Sequence, residues 1–253
     1  MRPEFLAADA ADWLRPEAGA LGEGVQAFMT TRGFNLGRTA GDLAEVRVHR
    51  AALAGLLGAR PIFLDQVHGS DVVRLQPDWH DDNAPRADAA VSTDPELAVA
   101  VLVADCLPVL FAAPGGVAGA HAGWRGLAGG VLENTVAALC EAAGCAPGEV
   151  RAWLGASIGA AAFEVGPEVV QALGREPLER DQPLFAFRPN PEPRWRADLA
   201  GLARERLLAS GVGTVSGGGW CTLSEDSRFF SFRGEAAGRP RGRMAACIAL
   251  AGR

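Results

Sequence analysis

The run Leu97-Ala98-Val99-Ala100-Val101-Leu102-Val103 has no polar position, the mark of a strand buried on both faces. It ends in Ala104-Asp105-Cys106. Two other short apolar runs end in a similar way: Pro61–Val67 leads into His68-Gly69, and Gly115–Ala120 leads into His121-Ala122-Gly123. Three side chains with metal-binding chemistry therefore stand just past strand ends, where rigid scaffolds place reactive groups. After His121 the period changes. Val131, Leu132, Thr135, Val136 and Leu139 recur at helical spacing, predicting a helix over Leu127–Ala143 with Gly144 as its cap. Arg125 and Gly126 precede it, and an arginine beside a helix start suits an anion.

Further on, Val150–Leu154 reads as a strand leading into Gly155–Gly159. Pro167–Leu173 starts like a helix with proline in its first turn. Gly174–Pro193, rich in proline and charge, reads as an exposed loop. Asp198–Ser210 reads as an amphipathic helix capped by Asp198 and stopped at Gly211, and Gly217–Leu250 as sheet plus a long loop. Strands and helices intermix, and neither a linker nor a repeat divides them. The pattern predicts one α/β or α+β domain over residues 1–253.

Composition narrows the chemistry. All 24 basic residues are arginine, and the chain has no tyrosine. Schiff-base catalysis, pyridoxal phosphate attachment and a P-loop each need a lysine and are excluded. A net charge of -6 argues against a nucleic-acid partner, which calls for a basic patch. The longest apolar run is far too short to span a bilayer, so no membrane partner is expected. Met1–Trp13 lacks a basic segment followed by an apolar stretch, so no signal peptide is expected there. Five irregularly spaced cysteines do not form a secreted disulfide framework. The expected location is the cytoplasm.

The chain has four histidines. His49 falls in a helix-like stretch, Glu45–Leu57, and reads as a packing or surface residue, while His80 falls in the polar loop Asp78–Pro85. That leaves His68 and His121, in matched settings with Cys106 between them. Catalytic zinc takes three ligands of these types and keeps a fourth position open. Spacing alone leaves two readings: a three-ligand metal site, or three unrelated polar residues at turns. Cys140 reads as core, Cys145 follows the Gly144 cap, and Cys221 and Cys247 read as structural. No G-x-G-x-x-G follows a strand, so a dinucleotide site has no support.

Several segments together carry a resemblance. Gln66-Val67-His68-Gly69, Ala104-Asp105-Cys106-Leu107-Pro108 and His121-Ala122-Gly123-Trp124-Arg125-Gly126 resemble the signatures of the YfiH-like family, also called the polyphenol oxidase or laccase-domain family. Thr30-Thr31-Arg32-Gly33, Asn35-Leu36-Gly37, Phe163-Glu164-Val165-Gly166, Phe229-Phe230-Ser231-Phe232-Arg233 and Gly242-Arg243-Met244 extend the match over nearly the whole chain. The resemblance implies a four-layer α/β/β/α sandwich with mixed sheets, like that of certain cysteine hydrolase toxins. It implies zinc, with copper as the alternative, on His68, Cys106 and His121. It also implies phosphorolysis of adenosine, inosine and methylthioadenosine, with adenosine deamination beside it. The partners are then purine nucleosides and phosphate, in a monomer or small homo-oligomer.

Phosphorolysis needs a phosphate near C1′ of the ribose, and the planar fork of arginine suits it. Arg32 and Arg125 are the first candidates, with Arg233, Arg243 and Asn35 also among the substrate-binding set. Asp105 and Glu164 are candidate proton carriers or partners of the ligand histidines. The chain departs from the family pattern where Gly33-Phe34-Asn35 shortens a loop, at Ala160-Ala161-Ala162, and at Phe232, where tyrosine is common.

Three other readings compete. A multicopper oxidase needs more histidines and H-x-H pairs, though a single copper fits two histidines and a cysteine. A metal-free hydrolase would use a Cys106 thiolate activated by His121 or His68, as in an amidase editing peptidoglycan precursors. A structural zinc would want a fourth protein ligand, and none is obvious.

Overall fold

The aliphatic run at Leu97–Val103 has no polar face because its alternate side chains enter two different cores. Leu97, Val99, Val101 and Val103 lie between two sheets, whereas Ala98, Ala100 and half-buried Leu102 face a helix. The computed structural model describes residues 10–38, 42–80, 83–189 and 191–252. In chain order its elements are β1 (Val25–Met29), α1 (Leu43–Leu57), β2 (Arg60–Phe63), β3 (Val72–Arg74), β4 (Ala89–Ser92), β5 (Leu97–Val103), β6 (Leu107–Ala113) and β7 (Gly116–Ala122). They continue with α2 (Trp124–Ala128), α3 (Val131–Ala143), β8 (Arg151–Leu154), β9 (Glu164–Val165), α4 (Pro167–Ala172), β10 (Phe185–Arg188), β11 (Arg194–Ala197), α5 (Leu199–Ala209), β12 (Thr214–Gly217), α6 (Phe232–Glu235) and β13 (Met244–Leu250).

Two mixed sheets stack face to face. One has the order β1-β13-β5-β2, the other β12-β8-β6-β7-β4-β3; a smaller antiparallel sheet, β10-β11-β9, stands beside them. α1 covers the outer face of the first sheet through Leu53 and Leu57. The outer face of the second is covered by Val131, Val136 and Leu139 of α3, Val169 and Val170 of α4, and Leu199, Leu202 and Leu207 of α5. The result is the four-layer α/β/β/α sandwich that the resemblance implied. Gly119 lets the sheets come together, since a Cβ there would stand 2.9 Å from Val99 and 3.0 Å from Val101. Among the described residues no helix is long and apolar enough to cross a membrane.

Several boundaries differ from the expected ones. The strand expected over Pro61–Val67 stops at Phe63, and Asp65 makes only an isolated bridge to Arg86. His121 lies within β7 rather than past its end. β6 has no counterpart among the expected elements, because Asp105-Cys106-Leu107-Pro108 looks like a turn, yet Pro108 fits as the second residue of a strand, its carbonyl accepting from Gly155 N. The expected helix over Leu127–Ala143 is two: α2 ends at Ala128 with Gly129 as its cap, and Gly130 in the left-handed region (φ 88°) starts α3 on a new course. The proline-rich segment over Gly174–Pro193, expected as an exposed loop, holds β10, because Phe185 is buried in the core beside Trp195.

Candidate metal centre

Strand periodicity builds the centre. Successive side chains on a strand point to opposite faces. On β7, Val117 faces the inter-sheet core and Ala118, Ala120 and Ala122 face the helices, so His121 shares the inter-sheet face with Val117 and Gly119. Cys106, one residue before β6, has the parity of the inter-sheet residues Leu110 and Ala112. β6 pairs with β7 in the register Leu107↔Ala122 and Pro108↔His121, which sets Cys106 beside the end of β7. On the other side β4 pairs Ala89 with Ala120, so Asp88 comes opposite His121. Its carbonyl accepts from His121 N at 2.7 Å.

His68 arrives on a tight loop. Its φ is 60°, in the left-handed region, where a bulky side chain needs support. Asp88 provides it. The carboxylate is fully buried and accepts from the backbone N–H of Val67 (3.1 Å), His68 (2.9 Å) and Gly69 (2.6 Å). The same carboxylate pairs with His121 Nδ1 at 2.8 Å. One acid therefore shapes the loop that carries one histidine and fixes the ring of the other, leaving His121 Nε2 as its ligand atom.

The ligand atoms of His68, Cys106 and His121 lie within 4.8 Å of one another, and the imidazole rings meet edge to face with centroids 4.8 Å apart. Gly123 keeps this space open: a Cβ there would stand 2.9 Å from Cys106 Sγ and 3.4 Å from His68 Cδ2. Two imidazoles and a thiol form a mixed nitrogen and sulfur donor set that suits zinc or copper and disfavours magnesium or calcium. Among the described residues no fourth such side chain joins them. The residues fit a three-ligand metal with an open position.

Burial raises the Cys106 thiol, but hydrogen bonds and charge from His121 and His68 prevail and bring it down to about 6. Burial alone would lower His121, yet Asp88 and then Cys106 hold it up at about 9. Burial likewise raises the Asp88 carboxyl, and His121 with the N–H of Gly69 and Val67 outweighs this and keeps it below the ordinary value. Between about pH 6 and about pH 9 the metal-free centre is a thiolate beside an imidazolium. Metal binding then requires loss of the His121 proton, so apparent metal affinity should rise by about tenfold per pH unit across that window. Below it the thiol also takes up a proton, and the fall steepens. Competition against a chromophoric chelator at stepped pH measures this; a flat affinity across the window would refute the ion pair.

The centre opens into a cavity of about 880 Å³ whose wall includes Arg125, Arg233 and Arg243 as well as Asp105. Arg32, Asn35 and Glu164 stand outside that wall. Arg32 donates to the carbonyl of Asp226 at 2.6 Å, and Asn35 Oδ1 accepts from Gly37 N and Arg243 N. Glu164 lies on β9 opposite Arg196. The partner of His121 is Asp88, not Asp105. Asp105, at φ 83°, accepts from Thr222 Oγ1 (2.6 Å), Ser231 Oγ (3.0 Å) and Arg233 N (2.7 Å), which locks the backbone just before Cys106. The sequence holds one signal for Asp88: a lone acid inside the apolar run Ala87–Val91. His49 is buried against Phe34 and bonded to Asn35 O, while His80 is exposed, so neither joins the centre.

The family model described as multi-copper polyphenol oxidoreductase laccase matches residues 22–251. A purine nucleoside phosphorylase of Pseudomonas aeruginosa is 44% identical over 235 residues, covering 87% of this chain and 92% of its own. The purine nucleoside phosphorylase YfiH of Escherichia coli is 42% identical over 221 residues, covering 85% and 86%. The crystal structure of YlmD from Geobacillus stearothermophilus is similar with a TM-score of 0.81 at 30% identity, over 95% of this chain and 96% of that one.

Proposed function

The chain belongs to this polyphenol oxidoreductase laccase family, alongside YfiH, and from that premise we propose that it is a metal-dependent purine nucleoside phosphorylase. Its substrates are adenosine, inosine and methylthioadenosine, with adenosine deamination as a second activity. The observation that carries the reading is one cavity holding both the His68, Cys106 and His121 cluster and two arginines, Arg125 and Arg233, that form no ion pair with a carboxylate among the described residues. Arg125 is exposed and lies over the Trp124 ring, its Cζ 4.3 Å from the centroid. Among the described residues the Arg233 guanidinium reaches the carbonyl of Glu164, at 3.5 Å. Arg243 is bound to Glu235 and stands behind these two as a phosphate ligand.

In phosphorolysis a phosphate oxygen bonds to C1′ as the bond from C1′ to the purine nitrogen breaks, and the purine leaves with the electron pair. Arg125 and Arg233 are placed to hold the doubly charged phosphate in the cavity by paired N–H donors. Asp105 serves as a positioning residue, since its carboxylate accepts from Thr222, Ser231 and Arg233 in the loop frame around Cys106. When bound, zinc or copper at His68, Cys106 and His121 supplies Lewis acidity beside the substrate. Four histidines, only two of them in the cavity, do not supply the ligands of a trinuclear copper cluster, so the multi-copper chemistry in the family's description is not proposed here.

A second reading rests on the Cys106 thiolate beside His121: a metal-free cysteine hydrolase. The experiment that separates them is metal analysis of the purified protein together with phosphate-dependent release of base from adenosine. About one equivalent of zinc or copper, with release that requires phosphate, is the expected result. Arg125→Ala should then raise the KM for phosphate about tenfold or more, the size of a lost charged hydrogen-bonded contact. Its Tm should barely move, because the side chain is exposed. A large fall in Tm with unchanged phosphate KM would return Arg125 to a bracing role.

A further inference from the structure

Four aromatic rings line the cavity: Phe63, Trp124, Phe163 and Phe232. Three of them are already covered. Phe63 is buried, with the Arg50 guanidinium 3.9 Å from its centroid; Phe163 is buried; and half-buried Trp124 carries Arg125 at 4.3 Å. Phe232 is 64% exposed, and the nearest cation, Arg243, is 5.8 Å from its centroid. An apolar ring left open at a cavity wall is a surface waiting for a flat apolar partner.

The backbone that carries this ring is anchored on both sides. Ser231 caps α6 by accepting from Gly234 N at 3.0 Å, and it donates to Asp105. Arg233 N, on the other side of Phe232, donates to the same carboxylate. Both neighbours of Phe232 are thus tied to the residue directly before Cys106. Asp105 holds the ring and the metal cluster in one frame, which is the condition for placing a substrate accurately between them.

We infer that Phe232 is the platform on which the purine base lies, and that it holds adenine and hypoxanthine equally. The inference rests on the nucleoside reading of the cavity. A benzyl side chain offers a face and no hydrogen-bonding atom, and stacking of this kind tolerates a change of base edge. The exchange of an amino group for a carbonyl at C6 alters that edge and leaves the bicyclic face. Discrimination between adenosine and inosine therefore does not originate at Phe232. Pyrimidine nucleosides, with a smaller face, gain less from it.

The test is steady-state kinetics and equilibrium binding with Phe232→Ala. The KM values for adenosine and for inosine should both rise about tenfold, the size of one lost stacking contact. Their ratio, the KM for phosphate and the metal content should stay as they were, and Phe232→Tyr should restore the nucleoside affinity. If the alanine variant folds poorly, Phe232→Leu, which keeps apolar bulk without a ring, carries the same measurement. Unchanged nucleoside KM values, a change confined to phosphate, or a shift for one nucleoside only would each overturn the inference. Calorimetric binding of adenosine without phosphate separates the two levels. Adenosine binding that weakens in Phe232→Ala, in a protein without phosphorolysis, keeps the platform and removes the phosphorylase. A protein that binds no adenosine removes both.

Discussion

His121→Ala is expected to lose metal and turnover together, with metal retention weakened at least about 100-fold, the upper range for loss of a mere supporting partner of a ligand. The variant keeps His68 and Cys106, and two ligands hold zinc far less well than three. Asp88 retains its three backbone donors from Val67, His68 and Gly69, so the loop should keep its shape. Cys106→Ala should behave alike. In the wild type, chelation should abolish activity and expose Cys106 to iodoacetamide, and added zinc should reverse both, because a coordinating thiol is deprotonated and shielded. Elemental analysis with parallel assays decides the matter. A His121→Ala protein with full metal and full turnover would remove the cluster from the mechanism. Rapid alkylation of Cys106 in the untreated protein, with activity indifferent to chelators, would instead put the cysteine hydrolase first.

Asp88→Ala should be the most destabilising substitution near the centre. It removes a carboxylate that is fully buried, and strands three backbone N–H groups and the His121 imidazole. Breaking a buried charged pair on one side costs roughly 3–5 kcal/mol. For a chain of this size that is a fall in Tm on the order of 10 °C. The linkage has a definite sign. The folded carboxyl titrates below its ordinary value, so its contribution is present above that value and is lost as pH falls through the lower, folded one. Asp88→Asn keeps the shape and one acceptor but not the charge; it should recover part of the stability while metal affinity stays low. Thermal melts from pH 3 upward, on all three proteins, check this. Equal melting curves for wild type and Asp88→Ala would mean that the loop carrying His68 is held by something else.

The His68, Cys106 and His121 cluster was legible in the sequence because each residue closes a segment with strand character and because such side chains have few other uses in such a place. The buried strand Leu97–Val103, the helix at Val131–Ala143 with its Gly144 cap and the Asp198 cap of Leu199–Ala209 were legible for a similar reason: period and capping are local properties. The sequence also excluded lysine chemistry outright. What it did not yield was every feature that depends on register. Asp88 comes opposite His121 only because Ala89 pairs with Ala120, and the 33 positions between acid and histidine put the contact beyond the reach of any local pattern. The same holds for Asp105, whose donors come from Thr222, Ser231 and Arg233 across the molecule, and for the separation of Arg125 and Arg233 in the cavity from Arg32 outside it. The sequence by itself determined which atoms are able to bind a metal; strand register within the six-stranded sheet and segments brought from across the molecule decided which acids frame them, because a buried carboxylate is satisfied only by donors that tertiary structure brings to it.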